Sequence, residues 1–188
     1  RILRGLAGGH HLLIYLYSDC EAFVDFANIK HLNLKTFIVL AVLLLLAYAT
    51  SFSGDWALDD DQNILTNQAL HIEDLSFSSL KGTLFASPYG AEGLYRPLPC
   101  LTFGLNWYFG QNNPLGYHIV NFIIHLLSAF FLFTAVKLLW QTPRLKTIGL
   151  TSNQIYLLAF FAALLWALHP IHMQAVTYIM QRLSLINI

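Results

Sequence analysis

The 188 residues balance 10 Lys and Arg against 10 Asp and Glu, are 56% hydrophobic and 11% charged, and have a mean hydropathy of +0.56. A soluble domain carries about a quarter charged residues, so the shortage of charge excludes an ordinary soluble fold and points to a membrane protein. Cys20 and Cys100 stand far apart without CxxC spacing, which argues against a zinc site or a disulfide framework, and no nucleic-acid partner is expected.

Residues 1–34 read as a cytoplasmic leader that matches nothing recognisable. The chain starts at Arg1 rather than Met and stops inside the apolar stretch LSLINI, so it reads as a piece of a longer protein. A first transmembrane helix is expected over 35–54, because no charge falls between Thr36 and Gly54 and the centre, FIVLAVLLLLAYA, is apolar throughout. A signal peptide fits less well, since the run begins well inside the chain and ends in the weak cleavage site SFSGDW. Residues 55–114 form a long first loop, rich in aromatic residues and hence not disordered by composition. Within it, Ser76 is placed to cap a short interface helix carrying Phe77, Leu80, Leu84 and Phe85, while PLPCLTFGLNWYFG is apolar but too short to span. Further spans are expected over 115–137 and 154–169, the latter stopped at His169-Pro170. Residues 138–153 make a basic loop between them. Residues 170–188 read as an amphipathic segment leading into a truncated next helix, with Ile171, Ala175, Val176, Ile179 and Leu183 on its apolar face and Gln174, Thr177, Tyr178 and Gln181 on the other.

Charge sets the orientation. Lys137, Arg144 and Lys146 lie between the second and third spans with no acid, whereas residues 53–116 hold seven acids against Lys81 and Arg96. The positive-inside rule then puts the N-terminus and the 137–153 loop in the cytoplasm, and the acidic loop and His169-Pro170 outside.

Polar residues inside apolar runs are costly and face a partner helix or a cavity. His118, Asn121, His125 and Ser128 share one face of the second span; interhelical hydrogen bonding is the plainer reading, a polar pocket the other. His169 and His172 stand three apart without a third ligand nearby in sequence, which favours a structural or capping role over a metal site. Asp59, Asp60 and Asp61 follow closely on the first span. Asp59, Asp61 and Asn63 imitate the start of an EF-hand loop, but Ile64 and Leu70 stand where Gly and Glu are needed. The triplet is either a solvated turn or a reactive acid at the membrane surface. Arg96, in LYRPL, supplies an anion ligand on the same loop.

The order of these motifs resembles the membrane half of the transmembrane-and-TPR-repeat proteins, GT-C-type glycosyltransferases related to protein O-mannosyltransferases. The matching residues are W-A-L-D-D (56–60) with Asn63-Ile64 and Asn67, Y-R-P-L (95–98), Asn106, P-L-G-Y-H-I-V-N (114–121), His125, H-P-I-H (169–172), A-V (175–176) and Q-R (181–182). They cover residues 36 to 188, and the Gln-Arg ending looks like bacterial members, which usually carry tetratricopeptide repeats after the membrane region.

The resemblance implies an all-α polytopic membrane protein, here a GT-C-like N-terminal portion with three transmembrane helices, in a bacterial inner membrane. It implies sugar transfer from a polyprenyl-phosphate donor, with inversion, to an acceptor polypeptide or glycan on the outer face. Asp59 or Asp60 would be the catalytic base; Arg96 and Arg182 would hold the lipid phosphate; His118, Asn121, His125, His169 and His172 would line or brace the pocket. A divalent cation held by Asp59 and Asp61 is left open. Many relatives carry Glu where this chain has Gln174, which is assigned a supporting position. Two rival classes are a membrane anchor for repeat-mediated protein interactions and a transporter using the stripe of the second span. The apolar half AFFLFTAV argues against the transporter.

Overall fold

The computed structural model describes residues 34–89 and 93–185; of the leader expected over 1–34, all but Leu34 lies outside the described residues. Those residues are helical, with no strand among them. Helix α1 (Leu34–Tyr48) buries Thr36, Leu40, Leu44 and Tyr48, one residue every four, and leaves Ile38, Val42 and Leu46 exposed. A helix apolar all round, with only one stripe against protein, suits a hydrocarbon solvent. A 3₁₀ turn, Ala49–Ser53, extends it and closes with the Ser51 hydroxyl donating to the Tyr48 carbonyl at 2.7 Å.

The outer loop folds on a core of its own, made of Ile64, Leu70, Ala86, Cys100, Phe103, Tyr117, Ile179, Met180 and Leu183. It contains a π-helical turn (Asp61–Leu65), a 3₁₀ turn (Gln68–Leu70), α2 (Phe77–Thr83) and α3 (Pro97–Gly110). Ser76 caps α2 as expected, accepting from the Ser79 amide at 3.2 Å. The helix packs through Thr83, not through its aromatic residues: Phe77 is 82% exposed. Gly104 of α3 permits that contact, because a Cβ there would stand 2.7 Å from Thr83 Cγ2.

Helix α4 (Pro114–Leu139) starts at Asn113, whose side chain accepts from the Leu115 amide, with Pro114 at the first helical position, where a missing N–H costs nothing. It packs along α6 (Ser152–Ala167), whose Ala159, Ala163 and Ala167 are fully buried, and small side chains let the two backbones approach. Thr151 and Gln154 cap α6 reciprocally, and between α4 and α6 lies only a short turn, α5 (Pro143–Lys146).

Among the described residues two helical stretches are long and apolar enough to cross a membrane, Leu34–Ser53 and Pro114–Leu139. Helix α6 has 16 residues, about 24 Å at 1.5 Å each and short of a hydrocarbon core of about 30 Å. It qualifies only together with Pro170–Thr177, from which it is bent by 55°. Beyond the bend the chain is broken into a 3₁₀ turn (Pro170–His172), α7 (Met173–Thr177), a second 3₁₀ turn (Ile179–Gln181) and α8 (Arg182–Leu185). The single amphipathic face expected here is therefore interrupted. Ala175, Val176, Ile179 and Leu183 are buried, but Ile171 is 73% exposed.

Candidate functional site at the end of the first span

The break at Pro170 explains one polar residue of α4, His125. Proline cannot return an N–H to the preceding turn, so the last carbonyls of α6 lose their helical partners. The Ala167 carbonyl is taken instead by Tyr48, whose hydroxyl donates at 2.7 Å, and by His125, whose Nε2 donates at 2.9 Å. A carbonyl only accepts, so the His125 proton sits on Nε2. The His125 ring stacks on Trp166 at 5.3 Å between centroids and lies 6.3 Å from the His172 ring. His169 is exposed and caps the turn, its Nδ1 accepting from the Ile171 amide at 3.3 Å. His118 is fully buried beside Gly54 and Val176, with neither ring nitrogen in a formed hydrogen bond. Ser128 leaves the stripe and donates to Ile124 of its own helix.

Asn121 does most to shape the site. Its Nδ2 donates to the carbonyls of Tyr178 (3.2 Å) and Ile179 (3.4 Å), and its Oδ1 accepts from Arg182 Nε at 2.7 Å. Tyr178 consequently sits in extended backbone, φ −109° and ψ 116°, between two helical pieces. Arg182 is completely buried. Besides Asn121 it donates to Asn106 Oδ1 (2.7 Å), Thr102 Oγ1 (3.2 Å) and the Tyr117 carbonyl (2.8 Å), and its guanidinium carbon lies 4.5 Å from the Phe103 ring centroid. Burial pulls its pKa down to about 9. The arginine expected at the lipid phosphate thus spends its donors inside the protein, knotting α3, α4 and the C-terminal segment together.

The three acids part company. Asp60 is buried, 1% exposed, with Oδ2 accepting from the Ala57 amide (2.9 Å) and Oδ1 from the Met180 amide (3.1 Å). Burial raises its pKa, against the two amide bonds that lower it. Asp59 and Asp61 are exposed. The Asp59 amide donates to the Tyr178 hydroxyl at 3.2 Å, and its carbonyl accepts from Asn63, amide and side chain alike. Leu58, just before it, has φ +51° while 84% exposed. Among the described residues no group of three His, Cys, Asp or Glu side chains is placed to hold a metal ion.

Arg96 is exposed and opens α3 with φ +42°. Tyr95 before it packs on the same core cluster as Trp56 and Tyr178, and Cys100 Sγ donates to the Tyr95 carbonyl at 3.2 Å. Burial pushes that thiol up to about 11, so Cys100 is an inert packing group here. Sequence reasoning passed over Tyr178, Thr102 and the Met180 amide. Tyr178 was read only as part of a polar face, and no local pattern marks a backbone amide as the partner of a distant carboxylate.

No protein-family model matches the chain, and no solved structure matches it. Curated relatives do. The chain is 29% identical over 154 residues to human "Protein O-mannosyl-transferase TMTC4", covering 79% of this chain and 21% of that protein. It is 34% identical over 149 residues to human "Protein O-mannosyl-transferase TMTC2", covering 77% and 16%, and 28% identical over 170 residues to "Protein O-mannosyl-transferase Tmtc3" of Drosophila melanogaster, covering 85% and 18%. The chain spans about a fifth of the length of these relatives or less. The chain, with helices apolar enough to cross a membrane, is similar to one stretch of these protein O-mannosyl-transferases.

Proposed function

We propose that this chain forms the acid-bearing wall of a membrane glycosyltransferase site, in which Asp59 is the general base that activates a protein hydroxyl. The observation that carries the assignment is the division of the triplet. Asp60 has both oxygens on backbone amides and almost no exposed surface, so an incoming substrate cannot reach it, while the Asp59 carboxylate beside it is open. The relatives' name supplies the reaction class, transfer of mannose to protein oxygen. The donor in this reading is a polyprenyl-phosphate sugar. The acceptor hydroxyl gives its proton to Asp59 and its oxygen bonds to the anomeric carbon. The carbon–oxygen bond to phosphate breaks on the opposite face, the electron pair leaves with the phosphate, and configuration inverts. Arg96, exposed on the same loop, balances the departing phosphate. Asp60 and Arg182 hold the wall rather than touch substrate.

In the same reading the loop faces the extracytoplasmic side of a bacterial inner membrane, α6 and the piece after Pro170 make a third, bent span, and the fold is of GT-C type. The test uses the full-length parent protein in nanodiscs, assayed for transfer from a panel of polyprenyl-phosphate sugars to hydroxyl-bearing peptides. Asp59→Asn is expected to lower kcat by a factor of about 100 or more, the range of a lost general base, without loss of thermal stability. Asp61→Asn stays within a few-fold of the parent. Transfer that survives Asp59→Asn, or is absent from the parent, would overturn the reading and leave a solvated turn on a membrane anchor.

A further inference from the structure

The turn that presents Asp59 is strained and has no packing reason to be. A leucine is disfavoured in the left-handed region, where Cβ crowds the following carbonyl oxygen, and Leu58, at φ +51°, is 84% exposed, so its side chain recovers little by burial. Strain of this kind persists only where neighbouring contacts over-determine the backbone. Two contacts do so here. Asp60 Oδ2 closes the turn onto the Ala57 amide, and the Tyr178 hydroxyl holds the Asp59 amide from a point 119 residues further along the chain.

Tyr178 is itself fixed on several sides. Its amide donates to the Gln174 carbonyl at 3.0 Å, its carbonyl accepts from Asn121, and its ring packs on the outer core with Trp56 and Tyr95. Two residues on, Met180 anchors Asp60. We propose that Tyr178 is the positioning residue of this site: its hydroxyl fixes the Asp59 backbone, and with it the direction of the Asp59 carboxylate. This rests on the reading of Asp59 as the base. Tyr178 acts through Asp59 and needs no contact with either substrate.

The experiment pairs two readouts on the full-length protein in nanodiscs, for the parent, Tyr178→Phe, and Tyr178→Phe combined with Leu58→Gly. Phenylalanine keeps the ring in its packing and removes only the hydroxyl. Hydrogen exchange of residues 55–64 is expected to quicken in Tyr178→Phe while residues 114–139 keep their protection. In sugar transfer, kcat is expected to fall about tenfold or more, with KM for donor and acceptor within about twofold, because a misaimed base slows chemistry without weakening binding. Leu58→Gly, whose backbone takes φ +51° without steric cost, is expected to restore part of the lost kcat. Unchanged exchange, or an unchanged kcat in an enzyme that needs Asp59, would overturn the proposal. Loosened exchange in a parent protein that transfers no sugar would instead overturn the transferase reading and leave the Tyr178–Asp59 contact standing.

Discussion

Lysine at position 182 is expected to damage the protein more than methionine, although lysine keeps the charge. Arg182 makes four hydrogen bonds, to Asn121, Asn106, Thr102 and the Tyr117 carbonyl, from a fully buried guanidinium. Bonds to a charged donor contribute about 1.5–3 kcal/mol each. A single ammonium cannot span the planar fork, and losing two of the four costs about 3–6 kcal/mol while a more strongly hydrated charge stays buried. Methionine loses all four but also removes the charge, whose burial costs several kcal/mol. What remains is chiefly the orphaned amide oxygen of the fully buried Asn121, about 1–3 kcal/mol. Thermal unfolding of the three proteins in one detergent at pH 7 should rank them Arg, Met, Lys. The burial that pulls Arg182 down to about 9 acts also on lysine, which starts about 2 pH units lower. A depressed folded pKa means that stability rises with pH, so the lysine variant should gain on the methionine variant between pH 7 and 9. Lysine as stable as arginine, or no gain with pH, would refute the account of Arg182 as a desolvated, geometry-bound cation.

Asp60 gives a second pH-dependent outcome. Its folded pKa is raised, chiefly by burial, so the folded state holds the proton more tightly than the unfolded chain, and stability falls as pH climbs from the ordinary carboxylate range, about 4, through the raised value. The stability difference between parent and Asp60→Asn, read by thermal melts from pH 4 upward, should therefore shift against the parent as pH rises; a shift in its favour would contradict the burial. Gly104→Ala should cost about 1–3 kcal/mol by overpacking, because the added Cβ meets Thr83 Cγ2 at 2.7 Å. Thr83→Ser removes that methyl and keeps the hydroxyl bond to Leu80, so the double variant should recover most of the loss in the same melts; equal stability of Gly104→Ala and parent would show that α2 and α3 separate without cost.

The first two spans were legible in uncharged runs such as Thr36–Gly54, and the cap of α2 because Ser76 precedes a short apolar period with a proline beyond it. The stripe His118, Asn121, His125 was legible as one buried face, although its purpose was not: the acceptor of His125 is a carbonyl freed by a proline 45 residues away. Sequence could not rank the three acids. Their neighbours in the chain are nearly alike, and what sets Asp60 apart from the exposed Asp59 and Asp61 is burial on the Met180 amide, 120 residues away. The burial of Arg182 was not legible either, because it is the convergence of Asn106, Thr102 and Asn121 from two other helices that makes it tolerable.

These dependencies run in one direction, from the membrane to the acids. Pro170 stops α6 and frees the Ala167 carbonyl, which Tyr48 and His125 then hold, tying the ends of α1 and α6 to α4. The chain leaves the bend as α7, and Asn121, one turn before His125 on α4, draws the carbonyls of Tyr178 and Ile179 out of helical pairing. That interruption turns the Tyr178 hydroxyl toward Asp59 and leaves the Met180 amide free for Asp60. A continuous amphipathic helix after Pro170 would have kept the Met180 amide for itself, since a helical amide within the span donates to the carbonyl four residues back. Asn121 is therefore the residue through which the packing of the spans sets the shape of the acid turn. Its reach explains why a polar side chain is worth keeping, fully buried, in a helix long and apolar enough to cross a membrane.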